Sequence, residues 1–557
     1  MSFAPPGPGC WERDTAHFPR PVTRLCAEMF SAHFVTGFRE GARECAVLLD
    51  HVEWRTVNGF MFMSPRPVGA PRGVSKLPPR LLFRLIIRLH PEIRRRIRRA
   101  ETVFTDRPWR AALEEWDARL KPASVRAHLE LGRIEPTTLD ADALVAHLDR
   151  CQAQLAQMLR QRGRLTLPCL LPIGDFLAHA MDWTGLPSTA LLRPLRGAAP
   201  VSAGASEELE RLVAAVRRDS GARHDLDAAP PEAIRRLRHR GGEVGAAAAG
   251  YLDLVGHRLV AGYDVSDPCA LEMPALLVET IRGALEHPGD AGGADDVDAV
   301  RARVPAAERG HFDQLLAEAR HVYRLRDERG LFSDLWAGGL LRRALLAAGA
   351  RLADAGRLHA PEHLLEATSE EIHRLLTGAG SADSRPPAGE LAARARARAE
   401  GCRAVVPDGL GPSIPDPPPA GWLPPAAERV SRALRAASDA ITREPAAGRD
   451  PAVLHGLGAS RGVYEGPARL ILSPAGLHRV RRGDVLVTMS TSPSFNLVLP
   501  SLGALVTDFG GTLSHAAIVA REFGIPAVVG TRDATRWIVD GARVRVDGAA
   551  GEVRRVP

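Results

Sequence analysis

Apolar residues recur every three to four positions along most of the chain and shift to short valine-rich runs near its end. In LDADALVAHLDRCQAQLAQMLRQRG (139–163) and LRRALLAAGARLADAG (341–356) the leucines and alanines keep the 3.6-residue period of amphipathic helices, and each run stops at glycine. The proline-containing stretches PRPV, LPPR and LPCLLP read as breaks between such helices. Strands are hard to place by this pattern before residue 376, so residues 1–376 are expected to form a large, mostly α-helical domain. Between 377 and 449 the periodicity dissolves into GAGSADSRPPAGE, a short Ala/Arg helix and VPDGLGPSIPDPPPAGWLPP. Such a Pro/Gly-rich linker is a semi-rigid spacer that would let the two ends of the protein move as separate bodies. One more amphipathic helix, ERVSRALRAASDAITRE, follows it. Beyond 450 the runs YEGPARLIL, GDVLVTMS, GALVTDF, IPAVVG and ARVRVDG are bounded by Gly, Asp and Pro, as strands are, with one helix between the third and fourth. The expected fold is multidomain, α and α/β, closing with a small β/α/β domain over 450–557.

Composition narrows the class. Over 557 residues, 45% hydrophobic and 25% charged content describe a globular protein with room for several cores. No apolar run approaches the roughly 20 residues of a membrane span. The start, MSFAPPGPGCWERD, lacks the basic opening and apolar core of a signal peptide, so a cytoplasmic protein that does not engage a membrane is expected. Seven scattered cysteines, with no C-x-x-C pair, read as buried or idle thiols in a reducing compartment, and no metal site is expected. The net charge is +7, and its main cluster is RLLFRLIIRLHPEIRRRIRRAE (80–101). Arginines alternating with apolar residues describe a solvated or subunit-facing helix, with a basic funnel for an anionic substrate or carrier as the competing reading. Aromatics at 5% give little for nucleic acid to stack on, and no nucleic-acid partner is expected. Lys76 and Lys121 are the only lysines, and neither follows a glycine loop, so no nucleotide site of the chain's own is expected.

The densest chemistry lies in GGTLSHAAIVAREFGIPAVVG (510–530). Ser514 is placed to cap a short helix and Gly524 to stop it, which puts His515 on the first turn. Unpaired N–H groups and the helix dipole favour an anion there. Gly510 and Gly511 permit close approach of the backbone, and Thr512 and Ser514 add hydroxyls, giving an anion cradle around an imidazole. A neutral imidazole is a good nucleophile toward phosphorus.

The run TDFGGTLSHAAIVAREFGIPAVVG closely resembles the phosphohistidine motif of the phosphoenolpyruvate-utilising enzymes, among them the rifampin phosphotransferases. GLGASRGVYEGPARLI (456–471) and IVDGARVRVDGAAGEV (538–553) resemble the opening and close of that family's swivelling domain. The resemblance implies that His515 is the phosphorylated residue, with Gly510, Gly511, Thr512, Ser514 and Arg521 around the phosphate. AAAAGYLDLVGHRLVAGYDVSDPCALEMPALL (246–277) resembles the substrate-binding region of rifampin phosphotransferase-like proteins. Val255-Gly256-His257-Arg258 stands there in place of a Tyr-Gly-His-Arg phrase. Residues 9–25 and 356–376 resemble the start and finish of the same region, so the resemblance covers nearly the whole chain. His257 and Arg258 either orient a substrate hydroxyl and meet the phosphoryl group, or make a salt bridge with Asp264 or Glu272. LLPIGDFLAHAMDWTG (170–185) sets His179, Asp182 and Trp183 on one helix, as pocket lining or as ordinary packing, and His17 reads as a loop contact.

The family's usual sources of phosphate, an ATP-grasp domain or a phosphoenolpyruvate barrel, find no counterpart in the pattern. The favoured expectation is a split phosphotransferase. A separate ATP-grasp protein, using ATP and Mg2+, charges His515, while this chain binds no cofactor itself. His515 then passes the group to a hydroxyl of a small, fairly apolar or carrier-bound substrate, possibly as activation for dehydration. The alternative is an ATP-independent lyase or dehydratase with His515 as general acid or base. A degenerate binding or regulatory protein ranks last.

Overall fold

In the computed structural model the first element is a strand, β1 (Trp11–Arg13), in a region where periodicity predicts only helices. The structure describes residues 2–71, 73, 76–199, 207–260, 262–286, 294–378, 386–414, 418–442, 452–491, 495 and 498–556. β2 (Leu49–Val57) and β3 (Phe60–Pro67) form a hairpin closed by Asn58 and Gly59, both at positive φ. That is the two-residue turn an Asn-Gly pair favours, because its twist matches the strands on either side. A fourth strand, β4 (Gly409–Leu410), pairs with β1, giving the order β2-β3-β1-β4. Three strands, β1 to β3, thus stand within the mostly helical region before residue 376, where periodicity gave no strand to place. The signal was Asn58-Gly59 between alternating residues, too short to disturb a reading made on helical periods. The proline-rich stretch around 410 cannot form a helix, yet two of its residues suffice for an edge strand.

These strands belong to one of two compact units, built from Met1–Leu171, Tyr263–Ser266 and Phe332–Leu434. Most of it is helical, as expected. Ala141–Arg164, capped by the Asp140 carboxylate, packs against Val35–Glu44, and Leu335–Asp354 packs against it as well. Buried Arg162 is paired with Asp334 at 2.5 Å and stacks over Tyr263 at 4.2 Å. His17 is a loop contact here, its ring nitrogen 3.1 Å from the buried Asp14 carboxylate. The basic cluster forms two helices, Arg80–Leu89 and Pro91–Asp106, broken where Pro91 follows His90, and Leu81 and Leu89 of the first are 81% and 68% exposed. LPCLLP is not a break. The helix Thr166–Thr184 includes Pro168 in its first turn, where an N–H has no partner to lose, and passes through Pro172.

The other unit comprises Pro172–Gly262, Asp267–Leu331 and Arg435–Pro557. Its centre is an eight-stranded sheet in the order β5-β12-β11-β7-β8-β9-β10-β6. The strands are β5 (Val453–His455), β6 (Leu457–Ser460), β7 (Val463–Ile471), β8 (Val485–Thr488), β9 (Ala504–Thr507), β10 (Ala527–Val529), β11 (Arg543–Asp547) and β12 (Glu552–Arg555). The five runs expected to be strands are β7 to β11, and β7 through β10 lie parallel. β8 and β9 are buried along their whole length, so they read as continuous apolar runs rather than alternating ones. The sheet shares one apolar core with the helices Glu207–Arg218, Gly242–Val255 and Pro274–Glu286, where Leu212, Leu252, Leu277 and Ile281 gather with Ile471, Leu486, Phe495 and Leu499.

Among the described residues no helix is long and apolar enough to cross a membrane, and no cysteine forms a disulfide.

Candidate active site

The helix His515–Phe523 connects β9 to β10, so its N-terminus stands at the carboxyl end of a parallel strand. In open parallel sheets this edge is where ligands bind. Ser514 is the cap, its Oγ accepting from the Ala517 amide at 3.4 Å, and Gly524 closes the helix at φ +68°. The loop before it depends on two glycines. Gly510 has φ +119°, a conformation L side chains rarely adopt, and a Cβ on Gly511 would lie 2.4 Å from the Ala440 carbonyl oxygen. What approaches Gly511 is protein backbone. Gly511 N–H donates to Ile441 O at 2.7 Å and Leu513 N–H to Ala440 O at 2.6 Å. Thr512 Oγ1 lies 3.0 Å from Ser188 Oγ.

His515 itself is buried, 9% exposed. Its Nδ1 is 2.9 Å from Thr491 Oγ1, a residue on the loop that follows β8, at the carboxyl end of the adjacent strand. Burial holds the imidazole far below its usual range, at about 4; the charge of Asp327 works against that shift and the charge of Arg326 adds to it. At neutral pH the ring is therefore uncharged.

Arg521 is also buried, with Nη1 donating to Ala459 O at 3.3 Å and Nη2 to the Tyr323 hydroxyl at 3.2 Å. Its neighbour Glu522 accepts from Gly197 N–H at 2.9 Å, and burial raises its carboxyl to about 7. In this arrangement the Gly511 amide, the Thr512 and Ser514 hydroxyls and the Arg521 guanidinium all engage protein partners.

The other candidates stand in different company. His179 Nδ1 is 2.9 Å from the Asp175 carbonyl oxygen, and its ring meets Trp183 and His311 at 5.5 and 5.3 Å. Asp182, on the same helix, is exposed. His257 and Arg258 follow the helix Gly242–Val255, half-buried, and burial pulls the Arg258 guanidinium down to about 10, while Tyr251 and Glu208 work the other way. Asp264 accepts instead from Thr23 N–H and Ser266 N–H, both at 2.7 Å, and Glu272 accepts from Cys269 N–H at 2.8 Å. Thr491, Arg326, Asp327 and Tyr323 were not singled out from the sequence. For Thr491 a signal existed, its place just beyond a buried strand; the others sit in a helical run whose charges look like any solvated face. Among the described residues, no three His, Cys, Asp or Glu side chains gather as metal ligands.

The parallel sheet presents a histidine on the first turn of a helix at its carboxyl edge, and comparison with known proteins finds similarity in two parts of the chain. Residues 480–551 match the mobile domain of the PEP-utilising enzymes, and residues 175–351 match the fourth domain of rifampicin phosphotransferase. The chain resembles the phosphoenolpyruvate-utilising phosphotransferases in both parts. An uncharacterised protein of Mycobacterium tuberculosis is 29% identical over 434 residues, which is 75% of this chain and 45% of that protein. A rifampicin phosphotransferase of Streptomyces sviceus is 31% identical over 346 residues, 56% of this chain and 34% of its own length. A chondramide synthase of Chondromyces crocatus is 33% identical over 267 residues, 46% of this chain and 6% of the synthase. The chain spans less than half the length of each of these relatives.

Proposed function

We propose that this protein is a phosphotransferase component in which His515 receives a phosphoryl group and passes it to a hydroxyl of a small, fairly apolar or carrier-bound substrate. The observation that carries this reading is the uncharged, buried imidazole at the head of a helix with Nδ1 engaged by Thr491. With Nδ1 so committed, Nε2 is the atom that attacks phosphorus. A ring held below its usual range is uncharged at neutral pH, the state in which its free nitrogen can act as a nucleophile toward phosphorus.

The phosphate comes, on this reading, from a separate ATP-grasp protein that holds ATP and Mg2+, and the reaction is cytoplasmic. Gly510, Gly511, Thr512, Ser514 and Arg521 bind the phosphate oxygens once the carbonyls of Ala440 and Ile441 have moved off the loop. Arg326, whose charge already acts on the ring, meets the same oxygens, and a guanidinium fork suits them. His257, Arg258, His179 and Asp182 are assigned to the acceptor. One relative is named for rifampicin, and the acceptor proposed here is of that general kind. Where the ester is a step toward dehydration, phosphate departs with the electrons of its C–O bond and a neighbouring C–H proton is lost, leaving an alkene.

The test is incubation of the full chain with labelled ATP, with and without a candidate ATP-grasp partner. An acid-labile adduct that requires the partner and is lost in His515→Asn supports the reading. Conversion of a hydroxylated substrate without any nucleotide contradicts it.

A further inference from the structure

The helix Arg80–Leu89 has no fully buried residue, although all but three of its side chains are apolar. Phe83, Ile86 and Ile87 share its inward side, half-buried, with the Phe83 ring 5.4 Å from that of Trp422. Leu81, Leu82, Leu85 and Leu89 lie on the outer side, within about 100° of helical arc. They are 81%, 48%, 51% and 68% exposed. Arg80, Arg84 and Arg88, spaced four apart, form an exposed stripe along the border of the leucines. Among the described residues eight large apolar side chains are exposed, and these leucines are half of them. A single exposed leucine is ordinary, whereas four in one patch mark a surface that something covers.

Charge decides what kind of surface that is. From Trp54 to Pro91 the chain carries seven Arg and Lys residues and no Asp or Glu. Among the described residues no carboxylate pairs with Arg80, Arg84 or Arg88. The following helix, Pro91–Asp106, adds exposed Arg94, Arg95 and Arg98. The same face of a second copy would set arginine against arginine, so the complement is an anionic surface with an apolar interior. A bilayer holding anionic lipids supplies both and requires no matching groove. With the leucines turned down into the acyl boundary, arginines on the flank stand level with the phosphates.

We propose that Arg80–Leu89 is an interfacial helix by which the chain docks on an anionic lipid surface. The expectation of a protein that does not engage a membrane rested on the lack of a span and of a signal peptide, and a helix lying in the plane of the interface needs neither. The inference stands independently of the chemistry assigned to His515.

The experiment is flotation of the full chain with vesicles of phosphatidylcholine alone, or of phosphatidylcholine and phosphatidylglycerol in equal parts, at low and high salt. Two variants separate the contributions. Leu81→Gln with Leu85→Gln and Leu89→Gln keeps every charge, and Arg80→Gln with Arg84→Gln and Arg88→Gln keeps every leucine. All six side chains are exposed, so both variants should fold, which circular dichroism checks. Wild type is expected to bind the anionic vesicles about 10-fold or more tightly than the neutral ones, and salt should weaken that binding. Each triple variant should lose about 10-fold. Binding that survives loss of the leucines is the general attraction of a basic protein and overturns the inference, as does equal binding to both vesicles or binding to neither. Leucine-dependent binding to an acidic amphipathic Leu/Glu peptide, without binding to vesicles, overturns it in favour of a protein partner.

Discussion

At the scale of single residues the proposal turns on the imidazole of His515, and its protonation can be observed directly. With its folded value near 4 and an unfolded value of about 6.5, the native ring refuses a proton that the unfolded chain accepts between those limits. Stability therefore falls as pH drops through that window. Glu522 works in the opposite sense: raised from 4.5 to about 7, it holds a proton the unfolded chain has released, so its contribution declines as pH rises over that range. The difference between wild type and His515→Asn isolates the histidine. Denaturant melts from pH 7 to 4 should show wild type losing stability relative to the variant, and NMR of the His515 ring should show no titration between pH 8 and 5. A titration centred near 6.5 would show the ring to be open to water. Thr491, whose hydroxyl meets this ring, lies on a loop, so periodicity does not mark it and only its place just beyond the buried run of β8 points to it.

At the scale of elements the histidine loop is the feature the chain spells out most fully. Ser514 as cap, Gly524 as stop and the flanking strands β9 and β10 all follow from local rules, since each is decided by residues within a few positions. What local rules could not give is the partner of the loop, because Ala440 and Ile441 lie some seventy positions away in the chain. Gly511→Ala tests that packing. Its Cβ would meet the Ala440 oxygen at 2.4 Å, so the loop or the helix end must shift, at a cost of about 1–3 kcal/mol. Ser514→Ala removes only the cap and should cost about 1 kcal/mol. Urea denaturation measures both, and equal effects from the two changes would count against a tight seat for Gly511. The hairpin β2–β3 shows the opposite case: a clear local signal, Asn58-Gly59, set in a region dominated by helical periods.

At the scale of the whole molecule composition and packing divide the chain differently. Composition marks a boundary near 376 and another near 449, because proline and glycine change there. The compact units are discontinuous in sequence, one of them joining Pro172–Gly262 and Asp267–Leu331 to the segment that begins at Arg435. Nothing local can foretell this, since the shared core is made of ordinary leucines and valines from both segments. It has a measurable consequence. Leu277→Ala, at a fully buried position on a helix of that core, should cost about 2–5 kcal/mol. Amide hydrogen exchange should then quicken in β8 and β9 as well as in the mutated helix. Unchanged protection in the sheet would mean that the C-terminal domain keeps its own stability, as an independently swivelling body does. The most direct measurement of the central proposal is peptide mapping of the full chain after incubation with ATP and an ATP-grasp partner, with handling kept alkaline to preserve phosphoramidates. Phosphate on His515 is the result predicted. An unmodified His515, in a chain that nonetheless turns over its substrate, would contradict it.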